Sequence, residues 1–96
     1  MPTKFTEIED VERGKTVLRI EGTMLHDDAV LLEKIALELR AARAKNITLD
    51  LADLDFIDSE SAPILKRMVA EHGFEIEGME FFLQTMIDEA ERQDRR

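Results

Sequence analysis

The sequence predicts an α/β domain, a mixed β-sheet with helices packed against it and elements in the order β-β-α-β-α-β-α. Three observations predict this. Some short stretches alternate apolar and polar residues, longer stretches repeat apolar residues at three- and four-residue steps, and after an opening pair of strands the two kinds take turns. The 96 residues, 44% hydrophobic and 36% charged, hold no repeat, no low-complexity run and no Pro/Gly-rich linker, so one domain is expected over 1–96.

The first strand is expected over residues 4–10, where KFTEIED alternates through Phe5 and Ile8. The second is expected over 15–21, with Val17, Leu18 and Ile20. Glu12-Arg13-Gly14-Lys15 supplies a turn that makes them an antiparallel hairpin, and Gly22 is expected to end the second strand. Ala29, Leu32, Ile35, Ala36 and Leu39 then follow helical spacing from Asp27 or Asp28 to Ala44. Asp27 is the candidate N-cap, and Arg40, Arg43 and Lys45 suit the negative C-terminal end.

Residues 46–51, Asn-Ile-Thr-Leu-Asp-Leu, form a strand with Ile47, Leu49 and Leu51 on one face. A helix between two strands favours a parallel crossover. The second helix is expected from about Ser59 to His72, with Ala62, Leu65, Met68 and Val69 inward, Pro63 tolerated in its first turn and Gly73 ending it. His72 is read as a helix C-terminal residue near free carbonyls. Phe74-Glu75-Ile76-Glu77 alternates as a strand does. Met79, Phe82, Leu83, Met86, Ile87 and Ala90 keep helical spacing, so a third amphipathic helix is expected over about 79–92, its stripe serving core or docking.

Thirteen basic and 22 acidic side chains give a net charge of −9, which argues against nucleic acid or an anionic membrane as the main partner. The excess is uneven: residues 71–96 hold eight acidic and three basic side chains, whereas residues 26–45 hold four of each. A basic partner would be steered to the C-terminal half or to the Asp58-Ser59-Glu60-Ser61 junction. Without cysteine there is no disulfide or thiolate chemistry. No apolar run reaches the ~20 residues that span a bilayer, and the N-terminus lacks the order of a signal peptide, so a cytoplasmic protein without membrane insertion is expected.

The junction DFIDSESAPIL, residues 55–65, runs from an apolar pair into four small or acidic residues at a helix start. Free N–H groups and a partial positive charge make that place suited to an anion, and Ser and Asp are also the preferred cap residues.

The residues N-I-T-L-D-L-A-D-L-D-F-I-D-S-E-S-A-P-I-L at 46–65, in that order of elements, resemble the STAS domain family of sulfate transporters and anti-sigma factor antagonists. Leu18-Arg19-Ile20-Glu21-Gly22 is similar to the strand and glycine before that family's first helix, and Glu75-Ile76-Glu77-Gly78 to its last strand. The resemblance implies a single STAS-like domain. It also implies a protein partner: in stand-alone members a cognate anti-sigma factor kinase phosphorylates the residue two after the junction Asp, and the unphosphorylated form binds the kinase and frees a sigma factor. Asp58 and Ser59 match that motif. The acceptor position holds Glu60, and the glycine that follows is replaced by Ser61.

Glutamate has no hydroxyl to phosphorylate, and its single charge partly imitates the ~−1.5 to −2 of a phosphoserine. Either the chain is held in a phospho-like state, or it uses the same surface without the switch. A phosphate moved to Ser59 or Ser61 would meet the like charges of Asp58 and Glu60.

Catalysis is not expected, because no nucleophile-elbow glycines surround the serines and His26 and His72 lie at helix edges. Asp50, Asp53, Asp55 and Asp58 lack the glycine and terminal Glu of a calcium loop, so no metal and no cofactor is expected. The expected function is a non-catalytic protein–protein interaction module like an anti-sigma factor antagonist, involved in signalling and transcription regulation. The alternative is an accessory or scaffold subunit of a transporter or sensory complex without a phosphorylation cycle. Contact is expected through residues 56–66, with Asp58, Ser59, Glu60 and Ser61 at its centre and Ile64, Lys66 and Arg67 flanking. Whether the apolar C-terminal helix also makes a homodimer is left open by the sequence.

Overall fold

Strand β1 (Lys4–Asp10) pairs antiparallel with β2 (Lys15–Met24), from Lys4 opposite Glu21 to Asp10 opposite Lys15. The hairpin closes through Gly14, whose φ of 64° is reached without penalty only by glycine and whose N–H donates to the Val11 carbonyl. This computed structural model describes residues 3–78; the helix expected over 79–92 lies outside the described residues.

Helix α1 (His26–Arg43) returns the chain so that β3 (Ile47–Ile57) lies parallel to β2, and α2 (Ser61–Ala70) does the same for β4 (Glu75–Glu77) beside β3. The sheet order is β1-β2-β3-β4. Its inward face carries Leu18, Ile20 and Met24 from β2, Leu49, Leu51, Leu54 and Ile57 from β3, and Ile76 from β4. Both helices close over it with Ala29, Leu32, Ala36, Leu65 and Met68. The other face is mostly polar, as an antiparallel-edged sheet allows: Lys15 pairs with Glu75 and Glu77, Arg13 with Asp10 and Glu77, and Arg19 with Asp50.

Several boundaries differ from expectation, each for a local reason. Gly22 does not end β2; it sits inside the strand at φ 90°, opposite Leu54, next to a shift of register. β3 runs six residues past Leu51 because it bulges twice. Leu51 and Ala52 together face the single residue between Arg19 and Glu21, and Asp55 is extra between Leu54 and Phe56, the partners of Gly22 and Thr23. Strict alternation beyond Leu51 would turn Asp53 and Asp55 inward. The bulges bury Leu54 instead, return Ile57 to the core and leave both aspartates exposed. At the first bulge Asp50 accepts the Ala52 N–H at 3.1 Å, replacing a lost ladder bond.

Helix α1 is capped differently than expected. Leu25 is the N-cap, and Asp28, three residues on, accepts the Leu25 N–H at 3.0 Å; Asp27 stays exposed. Ala44 ends the helix at φ 55°, donating to the Arg40 carbonyl. Arg43 reaches Glu7, and Arg40 donates to the His72 carbonyl while its guanidinium lies 4.5 Å from the Phe74 ring centre. In α2 the buried set is Ser61, Ala62, Ile64, Leu65 and Met68. Val69, expected inward, is exposed because the helix turns it off that stripe.

Gly78 ends β4 at φ 91°, where a Cβ would stand 2.4 Å from the Ala52 nitrogen. A side chain there must push aside the backbone of a bulged strand. Gly78→Ala is therefore expected to cost about 1–3 kcal/mol and to loosen β4 first. Hydrogen exchange at Ile76 and Glu77 checks this, and unchanged protection there would contradict it.

Candidate functional site

β3 delivers the junction where both helices begin. Ile57 is buried opposite Met24, the next residue's N–H donates to the Met24 carbonyl at 3.1 Å, and the chain then turns into α2. At the turn Asp58 spans two helix starts. Its Oδ1 accepts the Ser61 N–H at 2.8 Å and the Ser61 hydroxyl at 2.6 Å, and its Oδ2 accepts the His26 N–H, the first of α1, at 3.1 Å. Each of those N–H groups lacks an intrahelical partner. Burial pushes the Asp58 carboxyl upward, but the bonds from Ser61 and His26 outweigh it and hold the pKa below the ordinary aspartate value.

The structure therefore separates the expected contact residues. Ser59 and Glu60 are exposed, with Glu60 at the N-cap of α2, and the helix begins two residues later than expected. Asp58 is half-buried and committed to its three bonds. Ser61, expected at the contact, is fully buried with its hydroxyl spent on Asp58, because the first turn of α2 faces the core. Ile64, expected to flank the contact, is 6% exposed and belongs to the core, at the helical spacing from Ser61 that also buries Leu65 and Met68.

Lys66 is half-buried. Arg67 is exposed, but its guanidinium turns to α1 and grips Glu33 in two bonds of 2.9 and 2.6 Å. Those bonds hold the Glu33 carboxyl below its usual range, against an opposing effect of burial. His72 also stands 3.6 Å from Glu33, so its side chain answers a carboxylate and not the helix carbonyls, and its ring is tilted against Phe74.

The residues that sequence reasoning missed are Leu25, Asp28 and Glu33. Asp28 was readable, being an acid at the third helical position. Glu33 was not, since its partner lies 34 residues away. The acidic run 50–58 is divided by the bulges: Asp50 and Asp53 turn to Arg19, Asp55 is exposed, and Asp58 goes to the helix starts. His26 is held near Asp58 through its backbone, while its ring lies by Asp27.

No family model and no curated protein matches the sequence. Solved structures do match. Mglu aligns with a TM-score of 0.56 at 18% identity over 77% of this chain and 19% of its own length, so the chain spans about a fifth of that protein. An uncharacterised protein of the DUF3478 family with a SpoIIAA-like fold, from Shewanella loihica PV-4, aligns at 0.52 and 19% identity over 80% of this chain and 66% of its own. The anti-sigma factor antagonist SpoIIAA in its unphosphorylated form aligns at 0.51 and 19% identity over 76% and 69%. Likeness at such identities speaks for architecture: this chain is an α/β domain with a STAS-like fold of the SpoIIAA kind.

Proposed function

We propose that the protein is a non-catalytic interaction module of the anti-sigma factor antagonist type, which meets a protein partner through the start of α2. The observation that carries this reading is Glu60 itself, an exposed carboxylate at the N-cap of α2 where the STAS resemblance puts the phospho-acceptor. A negative charge is favoured there by the helix dipole, by about 0.3–1 kcal/mol. The buried Ser61 hydroxyl supports Glu60 as the charge a partner meets, and Ser59 as the exposed hydroxyl of the turn. The partner class is an anti-sigma factor kinase or its relative, and the setting is cytoplasmic signalling. The described residues hold no helix long and apolar enough to cross a membrane.

A second reading is a fixed docking piece within a larger assembly. It is favoured by the lack of a hydroxyl at position 60 and by the fold's occurrence as about a fifth of Mglu.

Affinity capture from the native cell, with wild type and Glu60→Lys side by side, tests the shared claim. One bound protein should fall by about tenfold with Glu60→Lys, the effect of a ~1.4 kcal/mol loss. Equal capture of every protein by both would overturn it. Glu60→Ser given the captured kinase and ATP then separates the readings. Phosphate on residue 60 indicates a switch still in use, and its absence favours the docking piece.

A further inference from the structure

The same end of the sheet carries an apolar pair that the Glu60 reading does not use. Phe56 is 51% exposed and Leu25 48%. Phe56 lies opposite Thr23, on the face away from the core residues Met24 and Ile57. Leu25 follows Met24 in extended conformation, φ −103° and ψ 173°, so strand alternation returns it to the side of Thr23 and Phe56. Burial of the neighbouring Met24 and Ile57 fixes the backbone beneath both side chains.

Carboxylates rim this pair. Asp53 lies opposite Glu21 in the ladder, Asp55 precedes Phe56 on the second bulge, and Asp27 is exposed in the first turn of α1. Of the nearby cations, Arg19 is turned to Asp50 and Asp53, and Lys4 stands opposite Glu21. Two exposed apolar side chains on one face at the same end of the sheet, with carboxylates close by along the chain, mark a contact surface more than an isolated one does. The sign of the rim selects the occupant. A second copy would bring the same carboxylates against these, and an anionic membrane or nucleic acid would be repelled.

We propose that Leu25 and Phe56 form a docking point for a protein segment that presents an apolar side chain flanked by lysines or arginines. This rests on the reading above that this end of the domain meets a protein partner. It adds what the partner must look like.

The test uses the full chain, isotope-labelled, and a short synthetic peptide with a Leu-Phe centre flanked on both sides by lysines and arginines. Amide shifts should centre on Leu25, His26, Asp55 and Phe56. A peptide with serines at the centre and one with glutamates at the flanks should each bind at least about fivefold more weakly, as should Phe56→Ser protein with the first peptide. Shifts centred elsewhere, equal binding of either control peptide, or no binding would overturn the proposal. Self-association lost in Phe56→Ser would overturn it in favour of a second copy. Because the peptide is to engage Leu25, Phe56 and the carboxylates around them rather than Glu60, binding that survives Glu60→Lys would uphold this surface even if the Glu60 reading fails. Partner capture that depends on Glu60 and ignores Phe56→Ser would do the reverse.

Discussion

Leu49→Ala is expected to lower the free energy of unfolding by about 3 kcal/mol, within the ~2–5 kcal/mol range for emptying a fully buried leucine site. Leu49 has no exposed surface and lies in register with Leu18 on one side and Ile76 on the other. β3 is an inner strand, so its neighbours are held by ladders and cannot collapse into the space. A domain of this size has about 5–10 kcal/mol to lose, so the urea midpoint should fall by roughly a third or more. Leu25→Ala, an exposed site, should change the free energy of unfolding by no more than about 0.5 kcal/mol and leave the midpoint nearly where it is. Equal midpoints for the two variants would mean that the core is not centred on β3.

Asp58→Ala is expected to cost about 2–4 kcal/mol, although it removes little buried apolar surface. Hydrogen bonds to a charged acceptor contribute about 1.5–3 kcal/mol each, and here three depend on one carboxylate. The loss should stay below their sum because water reaches the half-buried site. Asp58→Asn keeps an acceptor and should cost less. The telling readout is hydrogen exchange at His26, which should rise together with that at Ser61 although the two lie in different helices. A rise at Ser61 alone would show that Asp58 braces one helix only.

The same carboxylate gives stability a pH dependence of known sign. Its folded pKa lies below the unfolded one, so in that window the unfolded chain binds more protons and stability rises with pH. The contribution is complete above the ordinary aspartate value of ~3.9 and is lost as pH falls through it toward the folded value. Wild type should therefore lose stability there more steeply than Asp58→Asn.

The elements were legible where one signal dominated. Apolar spacing gave α1, whose buried Ala29, Leu32 and Ala36 were all anticipated, and alternation gave β1 over residues 4–10. What escaped was set by tertiary partners. The strand was expected over 46–51 only, because Leu51, Leu54 and Ile57 are spaced by three, a period that fits a strand only when a bulge lets the ladder skip a residue. Ser61 read as surface because serine favours caps, yet its hydroxyl has Asp58 as a partner and so can be buried. Asp58 and Ser59 were recognisable as a junction from local sequence. That Asp58 also holds α1 was invisible, since its partner is a backbone N–H 32 residues away.

The bulges in β3 carry one last consequence. Each adds a residue that neither the ladder nor the interior needs, and those additions, Ala52 and Asp55, point outward. Lineages can insert, delete or recolour such positions while Leu51, Leu54 and Ile57 keep their places. The outer surface of this tip can thus change while the scaffold beneath it stays, as suits an architecture still shared at under 20% identity.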